Sequence, residues 1–136
     1  MKLFLGIAAV LAWLIGLMLV LAPTQFYAPT GIALTPMLAT VAQAHGATLF
    51  GLGTINWFAR RAEGQGLVAV LVGNLVTQVL SFAVAARTAA LGAGLAVAPA
   101  FVIHTVLGAC FIVALVRATN KRRIGASLPP ASPLGG

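Results

Sequence analysis

Two histidines and three amides are the residues of this sequence best equipped for chemistry. His45, His104, Asn56, Asn74 and Gln78 all lie within long apolar runs. A neutral imidazole donates one hydrogen bond, accepts another, and can carry a proton or ligate a metal. The missing residues narrow the field further. Glu63 is the only acid, which excludes paired-carboxylate catalysis and carboxylate-lined metal sites. Cys110 is the only cysteine, which excludes a CxxC motif and a disulfide framework within the chain. A zinc site wants a second histidine pair or thiolates, and neither is present. No nucleophile, base and orienting group stand together in the pattern. The expectation is therefore a protein that is not an enzyme and has no resident metal.

Composition says where these residues sit. Of 136 residues, 61% are hydrophobic and 7% are charged. Soluble domains carry about 45–50% apolar and about 25% charged residues. A soluble fold of this length could not hide so much apolar surface, so an integral membrane protein is expected. A spanning helix needs about 20 mostly apolar residues. Four stretches qualify, at about 3–22, 36–59, 66–86 and 95–116. The first exceeds the 7–15 apolar residues of a secretory leader and follows a single lysine, so it reads as a span. Pro23, Pro29, Gly31 and Pro36 mark the first connection; Arg60–Gln65 and the turn Gly92-Ala93-Gly94 mark the others. Short links make neighbours antiparallel. The expected fold is all-α, an up-down four-helix bundle over residues 1–118. Residues 119–136 read as a basic tail that becomes rich in Pro, Ser and Gly, its last dozen residues disordered.

Basic residues set the orientation, because cytoplasmic loops collect Lys and Arg. Placing the N-terminus inside puts Lys2, Arg60, Arg61, Arg117, Lys121, Arg122 and Arg123 in the cytoplasm and only Arg87 outside. Both termini are thus expected to be cytoplasmic. The net charge of +7 then reflects topology and attraction to anionic headgroups, and no nucleic-acid partner is expected. Trp57 and Phe58, just before Arg60 and Arg61, read as an anchor at the inner interface.

Polar side chains are costly in a bilayer, so each needs a reason. His45 and Asn56 are eleven residues apart, which returns a helix nearly to one face, with Leu49 and Leu52 between them. His45 and His104 each lie about 13 Å from the outer ends of their spans, and Gln78 about 12 Å, at 1.5 Å per residue. Three polar groups from three helices therefore share one level, while Asn56 and Asn74 make a pair nearer the cytoplasm. Two readings of the histidines stand side by side. In one they are neutral and bond across helices to Gln78, Thr105 or a backbone carbonyl. In the other they bind a ligand, since diagonal histidines at one depth suit axial ligation of haem or a chlorophyll-type pigment. Ala42/Gly46 and Ala47/Gly51 are small pairs one turn apart, which let helices approach closely. Trp13 reads as packing or lipid-facing, and Cys110 as a buried, inert thiol. Gln25, Phe26 and Tyr27, among prolines in the outer loop, read as a contact surface.

The run from His45 to Arg60, HGATLFGLGTINWFAR, is glycine-rich and ends in an aromatic-Ala-Arg boundary. With the proline-rich outer loop and Gly73-Asn74-Leu75, it resembles the second span and flanks of small bacterial four-helix membrane proteins of the DoxX-like group. The resemblance implies the four-helix layout over about residues 1–117 and a bacterial inner membrane. It brings over no catalytic residue. The function expected is a non-enzymatic accessory or structural subunit that packs against other membrane proteins or its own copies. The alternatives are a haem-, pigment- or quinone-binding protein using His45 and His104, and a small transporter or channel lined by His45, Asn74, Gln78 and His104.

Overall fold

A computed structural model of the chain describes residues 1–93 and 97–127, and the described residues are almost entirely helical, with no strand. Four helices are long: α1 (Lys2–Leu21), α3 (Pro36–Ala59), α4 (Gly64–Thr88) and α5 (Ala98–Ser127). One turn and a half of helix, α2 (Pro23–Tyr27), lies in the first connection. Local chemistry explains the boundaries. Pro23 forbids a helical conformation at Ala22, which takes φ −141° and ends α1. A 3-10 turn, Ala28–Thr30, follows α2 and closes at Gly31, whose φ is +72°. Thr35 then caps α3, its Oγ1 accepting from the Leu38 N–H at 3.3 Å, and Pro36 occupies the first helical position.

Three of the helical segments described are long and apolar enough to cross a membrane: Lys2–Leu21, Gly64–Gly92 and Ala98–Ile124. The chain thus has the character of a membrane protein. The segment expected as the second span forms the 24-residue α3 but is not among these three, and it carries Gln43, His45, Thr48, Thr54 and Asn56. The basic segment from residue 119 differs from the tail expected. It continues α5 as helix to Ser127, because Ala, Lys and Arg are good helix formers and the next proline is Pro129. The expected start of the fourth span at 95, Gly94 of the expected turn, and residues 128–136 of the expected disordered tail lie outside the described residues.

The long helices associate as two close pairs, α1 with α3 and α4 with α5, with far fewer contacts between pairs. Glycine makes the first pair possible. A Cβ on Gly46 would stand 2.6 Å from the Gly16 carbonyl oxygen, and one on Gly53 would stand 2.8 Å from that of Ala9. Backbone therefore lies on backbone. Gln43 reaches from α3 to the Val20 carbonyl at 3.0 Å, one of the carbonyls left without an intrahelical partner at the end of α1. Trp13 of α1 donates from Nε1 to Thr54 Oγ1 at 3.1 Å and packs against Trp57, ring centroids 5.3 Å apart. Trp13 is therefore a helix–helix contact with its N–H satisfied. The two pairs meet at one end of the molecule, where Leu5, Ala8, Ala59, Leu71, Phe111, Ala114 and Ala118 form one core. Phe4 lies edge-on to Phe111 there, centroids 4.8 Å apart.

The expected small pairs separate. Ala42 and Gly46 are buried against α1, whereas Ala47 is exposed and nothing lies within 4 Å of a Cβ placed on Gly51. Cys110, expected in the core, is exposed on α5. Its neighbours in sequence explain this, because Phe111 takes the inward position, leaving Cys110 about 100° away around the helix. Gly46→Ala should lower stability in detergent by about 1–3 kcal/mol, since backbone must move to admit the methyl group. Gly51→Ala should be neutral or stabilising by up to about 1 kcal/mol, from helix propensity alone. Thermal unfolding followed by circular dichroism distinguishes them.

Candidate functional site

Two layers of polar side chains cross the interior, and a cavity joins them. The layer nearer the shared core is an amide pair. Asn56 Nδ2 donates to Asn74 Oδ1 at 2.9 Å, and Asn74 Nδ2 returns a bond to Asn56 Oδ1 at 2.7 Å. Asn74 spends its second N–H on the Val70 carbonyl at 2.9 Å. The two residues are 1% and 2% exposed. This reciprocal bond is the main polar tie between α3 and α4, which otherwise touch little.

The second layer links α4 to α5. Gln78 is buried, and its Oε1 lies 2.8 Å from His104 Nδ1. An amide oxygen can only accept, so Nδ1 carries the proton and donates. That fixes the tautomer of His104 and leaves Nε2 with a lone pair. Such an arrangement orients histidines that bind a ligand through the second nitrogen.

A cavity of about 300 Å³ runs between the helix pairs from the amide layer past the imidazole layer. His45, Leu49, Leu52 and Asn56 line it from α3; Asn74, Thr77, Gln78 and Ser81 from α4; His104 from α5. Apolar residues of α1, Leu11 and Ile15 among them, complete the wall. The two histidines thus border one space from different helix pairs. His45 reaches it from an exposed position on α3, and Thr105 is exposed and is not part of the wall. Phe26 and Tyr27 also line the cavity. Gln25 and Phe26 are exposed and Tyr27 is half-buried, so Phe26 faces both the cavity and the surroundings. Among the described residues, no three His, Cys, Asp or Glu side chains cluster to hold a metal ion.

The basic residues gather at the other end. Lys2, Arg60, Arg61, Arg117, Lys121 and Arg122 border a groove of about 900 Å³ beside the shared core. Arg60 also lies over the Trp57 ring, 3.4 Å from its centroid. Of the seven basic residues that the sequence places together, Arg123 alone does not border the groove.

No family model, curated protein or solved structure matches the chain.

The amide pair gives a direct test. Asn56→Leu or Asn74→Leu alone leaves a buried partner unsatisfied and should cost about 1–3 kcal/mol. The double substitution should cost less than the sum, with a coupling of about 1–2 kcal/mol in a thermodynamic cycle. Additive losses would mean that the two amides do not act as a unit.

Proposed function

We propose that this chain is a non-enzymatic integral membrane protein that holds a small, flat, mostly apolar ligand in the cavity between its two helix pairs. The observation that carries the reading is the Gln78–His104 bond at 2.8 Å. It orients an imidazole at the wall of a mostly apolar cavity, with Nε2 left to meet a ligand. Ligand sites are concave and largely apolar, with a few convergent polar groups. The Gln78 amide N–H groups and the His45 ring offer further donors at the same wall. A volume of about 300 Å³ is at the small end of the range for such sites, about 300–1,000 Å³. That favours a ligand with one or two rings and hydrogen-bonding oxygens, such as a quinone head, over haem or a chlorophyll-type macrocycle.

The setting proposed is a bacterial inner membrane, with α1, α3, α4 and α5 as the four spans of an up-down bundle and both termini in the cytoplasm. The clustering of six cations at one end of the molecule supports that orientation. The likeness of His45–Arg60 to DoxX-like proteins supports the setting. In this arrangement α3 is shielded on one side by α1; Gln43, Thr54 and Asn56 bond to neighbouring helices, His45 borders the cavity, and Thr40 and Thr48 bond back to carbonyls of α3 itself.

A second reading, an accessory subunit packed against other membrane proteins or its own copies, rests on Ala47 and Gly51. They are exposed one turn apart on α3 with open space before them. Close helix association in membranes uses such pairs.

The experiment is an absorption spectrum, with solvent extraction, of protein purified gently from its native membrane. The chain's own chromophores are two tryptophans and one tyrosine, so a bound aromatic ligand adds a distinct band. His104→Ala and Gln78→Leu should each weaken retention of that ligand by about 5- to 150-fold, since losing a buried, oriented hydrogen bond costs about 1–3 kcal/mol. Ligand-free protein from cells shown to make quinone, haem and pigment would refute the binding reading.

A further inference from the structure

The groove at the basic end is built as more than an orientation signal. The positive-inside bias asks only that cations lie on one side of the membrane. Here six of the chain's eight Lys and Arg residues, brought by the start of α1, the end of α3 and the last third of α5, border one groove. Glu63 is the single acid beside them. Among the described residues no ion pair offsets these charges, and like charges gathered this way repel one another.

The groove is also amphipathic along its depth. Helix α5 has 30 residues, a length of about 45 Å, so it outruns a hydrocarbon core of about 30 Å. Its last turns, with Arg117, Lys121 and Arg122, therefore reach headgroup level. Below them the wall becomes Val113, Cys110 and Ala109, faced by Phe4 and Leu67. Cys110 lies seven residues beneath Arg117, about 10 Å further into the membrane. A soluble anion would meet the rim alone and leave this apolar wall bare. A phosphodiester with acyl chains meets both parts.

We infer that the groove is a discrete site for one anionic phospholipid, its phosphate held by Arg117, Lys121 and Arg61 and an acyl chain lying along Val113 and Cys110. The site is separate from the cavity holding His45 and His104 and does not depend on the ligand reading. Basic pockets between membrane helices on the cytoplasmic side are suited to such headgroups.

Native mass spectrometry of the intact chain, in mixed micelles with equal phosphatidylglycerol and phosphatidylcholine, tests the inference. One phosphatidylglycerol should remain bound. Arg117→Gln with Lys121→Gln should weaken its binding about 30-fold, at about a tenfold factor for each 1.4 kcal/mol and about 1 kcal/mol per cation near the surface. Arg87→Gln with Arg123→Gln removes equal charge away from the groove and should change binding less than about threefold. Val113→Trp fills the apolar wall, keeps every charge and should also displace the lipid. It provides a second arm should the charge variant fail to fold. Equal losses from both charge pairs would mean diffuse attraction and overturn the site. Equal retention of phosphatidylcholine, or displacement of the lipid by inorganic phosphate alone, would overturn it as well.

Discussion

The reciprocal amide bond between Asn56 and Asn74 is the constraint around which the rest is arranged. Inside hydrocarbon no water satisfies a stray donor, so polar side chains must find protein partners. These two amides find each other, and in doing so tie a helix of one close pair to a helix of the other. On one side of that tie the pairs converge on Leu5, Leu71 and Phe111, which are at most 1% exposed. On the other side they leave the cavity that both histidines border. Contact and cavity are two consequences of one tie point between closely packed pairs. The pairs are held by different contacts: backbone-to-backbone approach at Gly16, Gly46 and Gly53 in one, and the Gln78–His104 bond with the edge-on rings of Phe82 and Phe101 in the other.

The two ends of the molecule have opposite chemistry. The cavity end carries neutral donors and acceptors in an apolar wall and suits an uncharged ligand. The core end carries six cations around a groove and suits an anion. A charged ligand would lose much solvation on entering the cavity, and a neutral one would gain little from the groove. The separation lets the proposed ligand and the inferred lipid occupy one chain without competing.

Much of this was legible from residue spacing. The apolar runs and the scarcity of charge pointed to an all-helical membrane protein, because few other structures satisfy a backbone in lipid. Spacing of eleven residues put His45 and Asn56 on one helix face, and equal depth put His104 level with Gln78. Spacing could not say which way those faces turn, since a helix of almost wholly apolar residues has no strong side to mark its interior. Cys110 shows the difficulty: one step from Phe111 along the chain, it points to a different environment. That Phe26 and Tyr27 line the cavity depends on the short helix after Pro23, a tertiary placement that composition does not record. Close approach at Gly16 was hidden because only its partner, Gly46, belonged to a recognisable small pair.

The proposed site depends on His104 being held as the Nδ1–H tautomer by Gln78, with Nε2 kept for a ligand. The chain has only two histidines, so nitrogen-15 spectra of histidine-labelled protein in lipid contain just four ring nitrogens. Assigned with His45→Ala, one ring should show a protonated Nδ1 and an unprotonated Nε2, and Gln78→Leu should abolish that preference. A His104 ring protonated at Nε2, or one unchanged by Gln78→Leu, would contradict the account.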